Sequence, residues 1–193
     1  MRTILILLLA ASQVGAEPDE PKKPNERELQ VASAEYFRDV EAARTKYRSK
    51  LAAILEQADA AELYQFDGTT EAKAPEAQEA DYFPIVPNGQ VSKINARKRL
   101  TGEKLSECRK ATALLLTKSG DSGVLCHYPA HGVRFVRGDE VIFETSICWK
   151  CENYYVAYPD DLNASWVGIA TSELKDFLSR ELPFPIEGDT PQK

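Results

Sequence analysis

The sequence has few of the residues that build metal, redox and nucleic-acid sites. Its 193 residues include four cysteines and two histidines, and acidic residues outnumber basic ones by 30 to 24, which gives a formal net charge of −6. An acidic chain lacks the basic surface that binding to a phosphate backbone requires. The ten glycines never form a glycine-rich turn between a strand and a helix, as a phosphate-binding loop would require. We therefore expect no nucleic-acid partner.

Long apolar runs are also scarce, and the one that exists lies at the start of the chain. Residues 1–16, MRTILILLLAASQVGA, place one arginine before an apolar stretch and end in small residues. This order is typical of a cleaved secretory signal peptide, and the stretch is shorter than the about 20 residues that a transmembrane helix needs. The sequence predicts cleavage after Ala16 and an exported product, periplasmic or extracellular, with no membrane anchor afterwards. An uncleaved anchor is the alternative.

The rest of the chain divides into parts by composition. Residues 17–25 are predicted as a polar linker, and residues 189–193 as a tail. Residues 26–64 contain neither Gly nor Pro and repeat apolar residues at steps of three and four, which predicts one long amphipathic helix. Residues 65–90 carry three prolines and an excess of acids, which is typical of a linker. Residues 91–188 have the composition of a globular domain.

The long helix is the candidate surface for a protein partner. Its apolar stripe is rich in Ala and Tyr and poor in Leu. That composition favours packing on its own domain or in a loose helical hairpin over a strict coiled coil. A dimerising coiled coil stays open as the alternative, and the sequence does not determine the oligomeric state.

Residues 91–188 alternate between helical and strand periodicity. Helical spacing predicts helices at about 103–118 and 171–182, and the strict alternation in 132–147 around Gly138-Asp139 predicts a β-hairpin. Two further short strands are predicted at 153–158 and 165–169. The expected fold class is therefore α+β: a small antiparallel sheet, based on the hairpin, flanked by two helices and preceded by the long helix.

Three of the four cysteines and both histidines lie between residues 126 and 151. The hairpin separates Cys126 and His131 from Cys148 and Cys151, and a hairpin brings its two ends together. Three Cys and one His are an accepted ligand set for tetrahedral zinc, and a two-residue gap lets both thiolates of Cys148-x-x-Cys151 reach one ion. The spacing therefore predicts a zinc site formed by Cys126, His131, Cys148 and Cys151. Cys108 and His127 are additional candidates, and we expect His127 to face solvent.

Two other chemistries remain open at the same residues. An exported chain meets an oxidising compartment, so the four cysteines could form two disulfides: Cys108–Cys126 with Cys148–Cys151, or Cys108 joined to Cys148 or to Cys151. Cys148-x-x-Cys151 could also be a redox pair, although the sequence after it is β-prone and offers no helix N-terminus to activate a thiol. Nothing in the sequence supplies an orienting acid or an oxyanion hole, so no catalytic residue is predicted.

The motif residues resemble those of a set of small exported bacterial sequences of uncharacterised function. The resemblance rests on Cys126-x-x-Pro129-x-His131-Gly132-Val133-x-Phe135 followed by Ile147-Cys148-x-x-Cys151, and it covers about residues 95–158. This chain departs from the pattern at Trp149, where Phe is expected, and in the extra Cys108. The resemblance implies that Cys126, His131, Cys148 and Cys151 form the shared set, and it implies no activity.

These observations predict an exported binding or scaffolding protein with a structural zinc site. Three Cys and one His would fill all four positions of the ion and leave none for the water that a catalytic zinc needs, so an enzyme is not expected. The alternatives are an envelope thiol-redox or metal-handling protein that uses Cys148-x-x-Cys151, and a disulfide-stapled domain without metal.

Overall fold

The computed structural model describes residues 26–85, 90–118, 120–121, 126–158 and 165–184. The predicted signal peptide, polar linker and tail lie outside the described residues. Contacts divide the chain into one unit that ends at Tyr36 and a second that begins at Phe37. Among the described helices, none is long and apolar enough to cross a membrane.

Three α-helices and two short 3-10 helices lie in the described residues: α1 (Glu26–Ile54), α2 (Gly102–Thr117), α3 (Glu173–Glu181), and the 3-10 segments Leu55–Gln57 and Glu76–Asp81. The predicted helices of the globular block are confirmed as α2 and α3. Helix α1 ends at Ile54 and does not continue to residue 64 as predicted. Its last turns contribute Leu51 and, just beyond the helix, Leu55 to the core.

Eight antiparallel strands form the sheet in the described part of the chain: β1 (Ala60–Phe66), β2 (Tyr82–Pro84), β3 (Val91–Leu100), β4 (Gly120–Asp121), β5 (His131–Arg137), β6 (Glu140–Cys148), β7 (Asn153–Val156) and β8 (Ser165–Gly168). Their order across the sheet is β2-β3-β1-β5-β6-β7-β8-β4. The predicted hairpin is confirmed as β5 and β6, with Phe135 paired to Phe143 and Gly138 at a φ of +58° in the turn.

The α+β class is confirmed, but the sheet is larger than the small hairpin-based sheet that the sequence predicts. Strands β1, β2 and β3 add to it, so parts of the predicted helix and of the predicted linker at 65–90 are in the sheet instead. The physical reason lies in β1, which is buried on both faces and paired on both edges, by β3 and β5. The β1 sequence AAELYQF has a polar residue on each face, Glu62 and Gln65, so its apolar residues do not alternate and the segment continues the helix-like pattern before it.

The two faces of the sheet have different coverings. The first face carries Leu63, Val133 and Ile147 and forms the main core with α2, α3 and the end of α1. The second face carries a smaller aromatic cluster, formed by Tyr64, Phe66, Phe83 and Ile85. Because successive strand residues alternate between faces, the buried residues of β5 and β6 divide between these two faces, whereas residues 137–141 at the tip are exposed.

Gly132 on β5 is the point where the aromatic cluster lies closest to the sheet. A Cβ at this position would lie 2.7 Å from Cζ of Phe66 and 3.0 Å from Cζ of Phe83. Both rings are buried, so neither can move aside into solvent.

Gly132→Ala is expected to lower the free energy of unfolding by about 1–3 kcal/mol, since it overpacks a filled site. Phe66→Leu shortens the ring that meets the new methyl group, so the double variant should lose less than the sum of the two single variants. Urea unfolding of all four proteins measures this coupling. Strict additivity would mean that the methyl group does not meet Phe66.

Candidate functional site

The cysteine cluster contains one disulfide and two buried thiols. Cys126 is bonded to Cys151, with a Cα–Cα distance of 6.3 Å, and Cys108 and Cys148 are free. The backbone N–H of Cys151 donates to Sγ of Cys148 at 3.3 Å. Cys108 lies apart from these three, on α2 in the main core, where burial raises the pKa of its thiol to about 12. Because the thiolate is the reactive form, Cys108 is inert at neutral pH.

The register of the hairpin separates His131 from Cys148. His131 pairs with Ile147, so the side chains of these two residues lie on the first face of the sheet. Cys148 follows Ile147 in the same strand and therefore points to the second face. The hairpin does bring the ends of its two strands together, as predicted, but the alternation of side chains then places His131 and Cys148 on opposite faces.

The ring of His131 is fully buried and both of its nitrogens have partners. Nε2 donates to the carbonyl oxygen of Leu182 at 2.9 Å, and Nδ1 accepts the indole N–H of Trp149 at 3.0 Å. The ring of Phe184 meets it edge-on at a centroid distance of 4.7 Å. These contacts anchor the end of α3 to the sheet and leave no ring nitrogen to bind a metal.

The structure therefore does not bring the four predicted zinc ligands together. Cys126 and Cys151 are joined covalently, Cys148 lies beside them, and His131 is on the opposite face. Across the described ranges, no group of three or more His, Cys, Asp or Glu side chains is placed to hold a metal ion. The side chains as arranged do not fit a Cys3His zinc site.

His127 is in a different environment from the one predicted. Its ring is partly buried and stacks on Trp166 with a centroid distance of 4.1 Å and an interplanar angle of 18°. Nδ1 lies 2.7 Å from Oδ1 of Asn153, and Nε2 lies 2.9 Å from Oγ of Ser146. The expectation that His127 faces solvent is wrong. Burial lowers the pKa of its imidazole, so the neutral form is favoured.

Sequence reasoning did not identify Ser146, Asn153 or Trp166. All three lie on the second face, at alternate positions of β6, β7 and β8. A polar residue at such a position is usually solvent-facing, which is why Ser146 carried no signal of its own. The signal that could have found it is the alternation of the hairpin combined with the extended segment at 126–130, which lies against that face.

A cavity of about 160 Å³ opens beside Ser146 on the second face. Its lining residues are Pro84, Ile85, Glu144, Thr145, Ser146, Tyr155 and Ala157. The carboxylate of Glu144 is paired with the guanidinium of Arg134 at 2.9 Å. The cavity thus combines an apolar wall with three hydroxyl-bearing residues and one ion-paired carboxylate.

No protein-family model, no curated protein and no solved structure matches this chain. The resemblance to small exported bacterial sequences therefore remains a prediction that rests on its motif residues.

The burial of His131 predicts a pH dependence of stability. Burial lowers the pKa of its imidazole from the ordinary 6.5, because the charged form is disfavoured away from water. Protonation of Nδ1 would in addition replace the acceptor of the Trp149 indole N–H by a second donor. Below about pH 6.5 the unfolded chain then binds more protons than the folded one, so stability falls as pH falls. The slope is at most about 1.4 kcal/mol per pH unit for each histidine.

Urea unfolding of the wild type and of His131→Gln at about pH 7.5 and about pH 5.5 measures this effect across the histidine range. The variant should lose less stability between the two values than the wild type does. The carboxylates Glu62 and Glu181, whose pKa values are lowered from 4.5, titrate below that window and do not contribute. An equal loss in both proteins would exclude His131 as the source.

Proposed function

We propose that the protein is an exported binding or scaffolding protein in which the Cys126–Cys151 disulfide replaces zinc as the staple of the cluster. The observation that carries this proposal is the disulfide itself, which closes a loop with a sequence separation of 25 residues. Disulfides form and persist in oxidising compartments such as the periplasm and the extracellular space. The signal-like residues 1–16 support the same location independently.

The staple holds the segment 126–130 in a defined position on the sheet. The N–H of Ala130 donates to the carbonyl oxygen of Ile147 at 3.0 Å, and the carbonyl oxygen of Ala130 accepts the N–H of Phe66 at 3.0 Å. Asn153 adds a side-chain bond, from its Nδ2 to the carbonyl oxygen of Cys126, at 2.9 Å. A segment fixed at both ends in this way is suited to present a rigid surface to a partner.

A protein partner is the class of ligand that we propose for α1. Its side chains Val31 and Tyr36 are 52% and 58% exposed, so α1 offers apolar contact area to a partner. An acidic chain with such a helix fits a protein surface better than a nucleic acid.

The staple, the zinc site and the two-disulfide arrangement predict different numbers of free thiols. With the Cys126–Cys151 bond alone, alkylation of the denatured, unreduced protein should label two cysteines, Cys108 and Cys148, and native mass spectrometry should find no metal. Bound zinc together with label at Cys126, Cys148 and Cys151 would instead support the zinc site. An absence of label on all four cysteines would mean that two disulfides are present. Either result would contradict the arrangement with one disulfide, Cys126–Cys151.

Thiol–disulfide exchange is a second candidate function, favoured by the contact between Cys148 and Cys151. Attack of the Cys148 thiolate on Sγ of Cys151 would form a Cys148–Cys151 bond, break the Cys126–Cys151 bond and release Cys126 as a thiolate. The step moves a disulfide without net oxidation, so it needs no added oxidant. Cys126 is exposed, whereas Cys148 is buried, so the exchange would transfer a thiol from the interior to the surface.

Cys126→Ser tests whether Cys148 can reach Cys151. After oxidation in air, the variant should contain a Cys148–Cys151 disulfide, found by peptide mapping, and one free thiol at Cys108. Cys148→Ser is the matched control, and it should keep the Cys126–Cys151 bond. If Cys126→Ser retains three free thiols, the exchange has no route within the folded protein.

A further inference from the structure

Ser146, His127 and Asn153 form a continuous chain of side-chain contacts on the second face of the sheet. Oγ of Ser146 lies 2.9 Å from Nε2 of His127, and Nδ1 of the same ring lies 2.7 Å from Oδ1 of Asn153. The three residues come from β6, from the segment before β5 and from β7. A hydroxyl beside an imidazole that is oriented by a third residue is the arrangement that activates a serine nucleophile.

The amide of Asn153 determines which nitrogen of His127 carries the proton. Its Nδ2 donates to the carbonyl oxygen of Cys126 at 2.9 Å, so its Oδ1 must be the atom that faces His127. Nδ1 therefore donates, and Nε2 of the neutral ring has a free lone pair directed at Ser146. In serine hydrolases the third residue has this same task, because an imidazole held in the other tautomer cannot accept the serine proton.

Two further contacts prepare the imidazole to act as a base. The indole of Trp166 stacks on the ring and restricts its rotation. Burial favours the neutral form of His127, which is the form that can take a proton. The Ser146 hydroxyl has one proton, and the carbonyl oxygen of Ile85 accepts it at 3.0 Å. Rotation about the Cβ–Oγ bond redirects that proton to Nε2 of His127, which is the only base among the two acceptors.

The cavity beside Ser146 sets the size of what could react there. Ser146 itself is 1% exposed, so a reactant must reach it through this cavity. A cavity of about 150 Å³ accommodates a molecule the size of benzene. Pro84, Ile85 and Ala157 supply apolar wall, and Glu144 is neutralised by Arg134. These features fit a short, uncharged acyl group.

We propose that Ser146 is the nucleophile of an acyl-transfer site that takes short-chain acyl esters. Oγ bonds to the acyl carbon, its proton passes to Nε2 of His127, and the ester C–O bond breaks as that proton is delivered to the leaving alcohol. Water then attacks the acyl-Ser146 carbon, again giving a proton to Nε2, and the acid departs as Oγ regains its hydrogen. Asn153 is a positioning residue that acts through His127. His127 lies in the segment that the Cys126–Cys151 staple holds, so the site rests on the staple but not on a binding partner.

The test uses the full mature protein and 4-nitrophenyl acetate as the acyl donor. Peptide mapping by mass spectrometry should find an acetyl group on Ser146 of the wild type. Ser146→Ala should lose this modification, and His127→Gln should slow release of 4-nitrophenolate by about 10²–10⁴-fold, the usual contribution of a general base. Ser49→Ala removes an exposed hydroxyl on α1 and is the matched control, expected to behave as the wild type.

Mapping of the wild type alone decides the proposal if a variant fails to fold. Acetyl groups confined to lysines or the N-terminus, with Ser146 unmodified, would overturn it. Equal rates of 4-nitrophenolate release from wild type and a folded Ser146→Ala variant would also overturn it. Two variants of Asn153 distinguish its role in orienting His127 from a role in folding. Asn153→Asp keeps an oxygen acceptor for Nδ1 of His127, so acetylation of Ser146 should persist. Asn153→Leu removes that acceptor and should abolish acetylation in a protein whose circular dichroism is unchanged.

Discussion

The pairing of His131 with Ile147 determines which of the clustered residues can meet. This register sends His131 into the main core and Cys148 to the opposite face of the sheet. A shift of the strand pairing by one residue would move every side chain of that strand to the opposite face of the sheet. Because such a shift would take the apolar side chains out of the core, the register is fixed. Two separate sites follow from one pairing: a histidine that anchors α3, and a group of polar and sulfur-bearing side chains beneath the segment 126–130.

The contrast between the two histidines follows from these surroundings. His131 has an indole N–H and a carbonyl oxygen as its partners, neither of which can exchange a proton with it, so the ring is a structural link. His127 has a hydroxyl on one side and an amide oxygen on the other. Both rings are neutral because burial disfavours the imidazolium, yet only His127 has a neighbour whose proton it can accept.

Much of the second half of the fold could be predicted from the sequence. The hairpin and α3 have clear periods, and Gly138-Asp139 is typical of a turn. Strand β1 could not be recognised, because Glu62 and Gln65 place one polar residue on each face and so break the alternation. In strand β3 a register irregularity against β1 places Ile94 against the aromatic cluster and Ala96 against the main core, so no continuous alternation marks it. Tertiary pairing, and not local pattern, makes these two segments strands.

The sequence predicted a zinc site at the clustered Cys and His residues, and the register of the hairpin places His131 on the other face from Cys148. The contacts of His127 could not be predicted, because Ser146 and Asn153 are 19 and 26 residues away from it and meet it only through the folded sheet.

Separation along the sequence also has a kinetic consequence, which concerns β1. Residue 61 pairs with residue 135, and such non-local pairings form slowly because the intervening chain must first be closed into a loop. Helix α2, the hairpin and α3 can form early, but their apolar faces remain uncovered until β1 joins β3 to β5. The newly made chain therefore passes through a period in which it is prone to aggregate, and chaperones that shield apolar surface would protect it then.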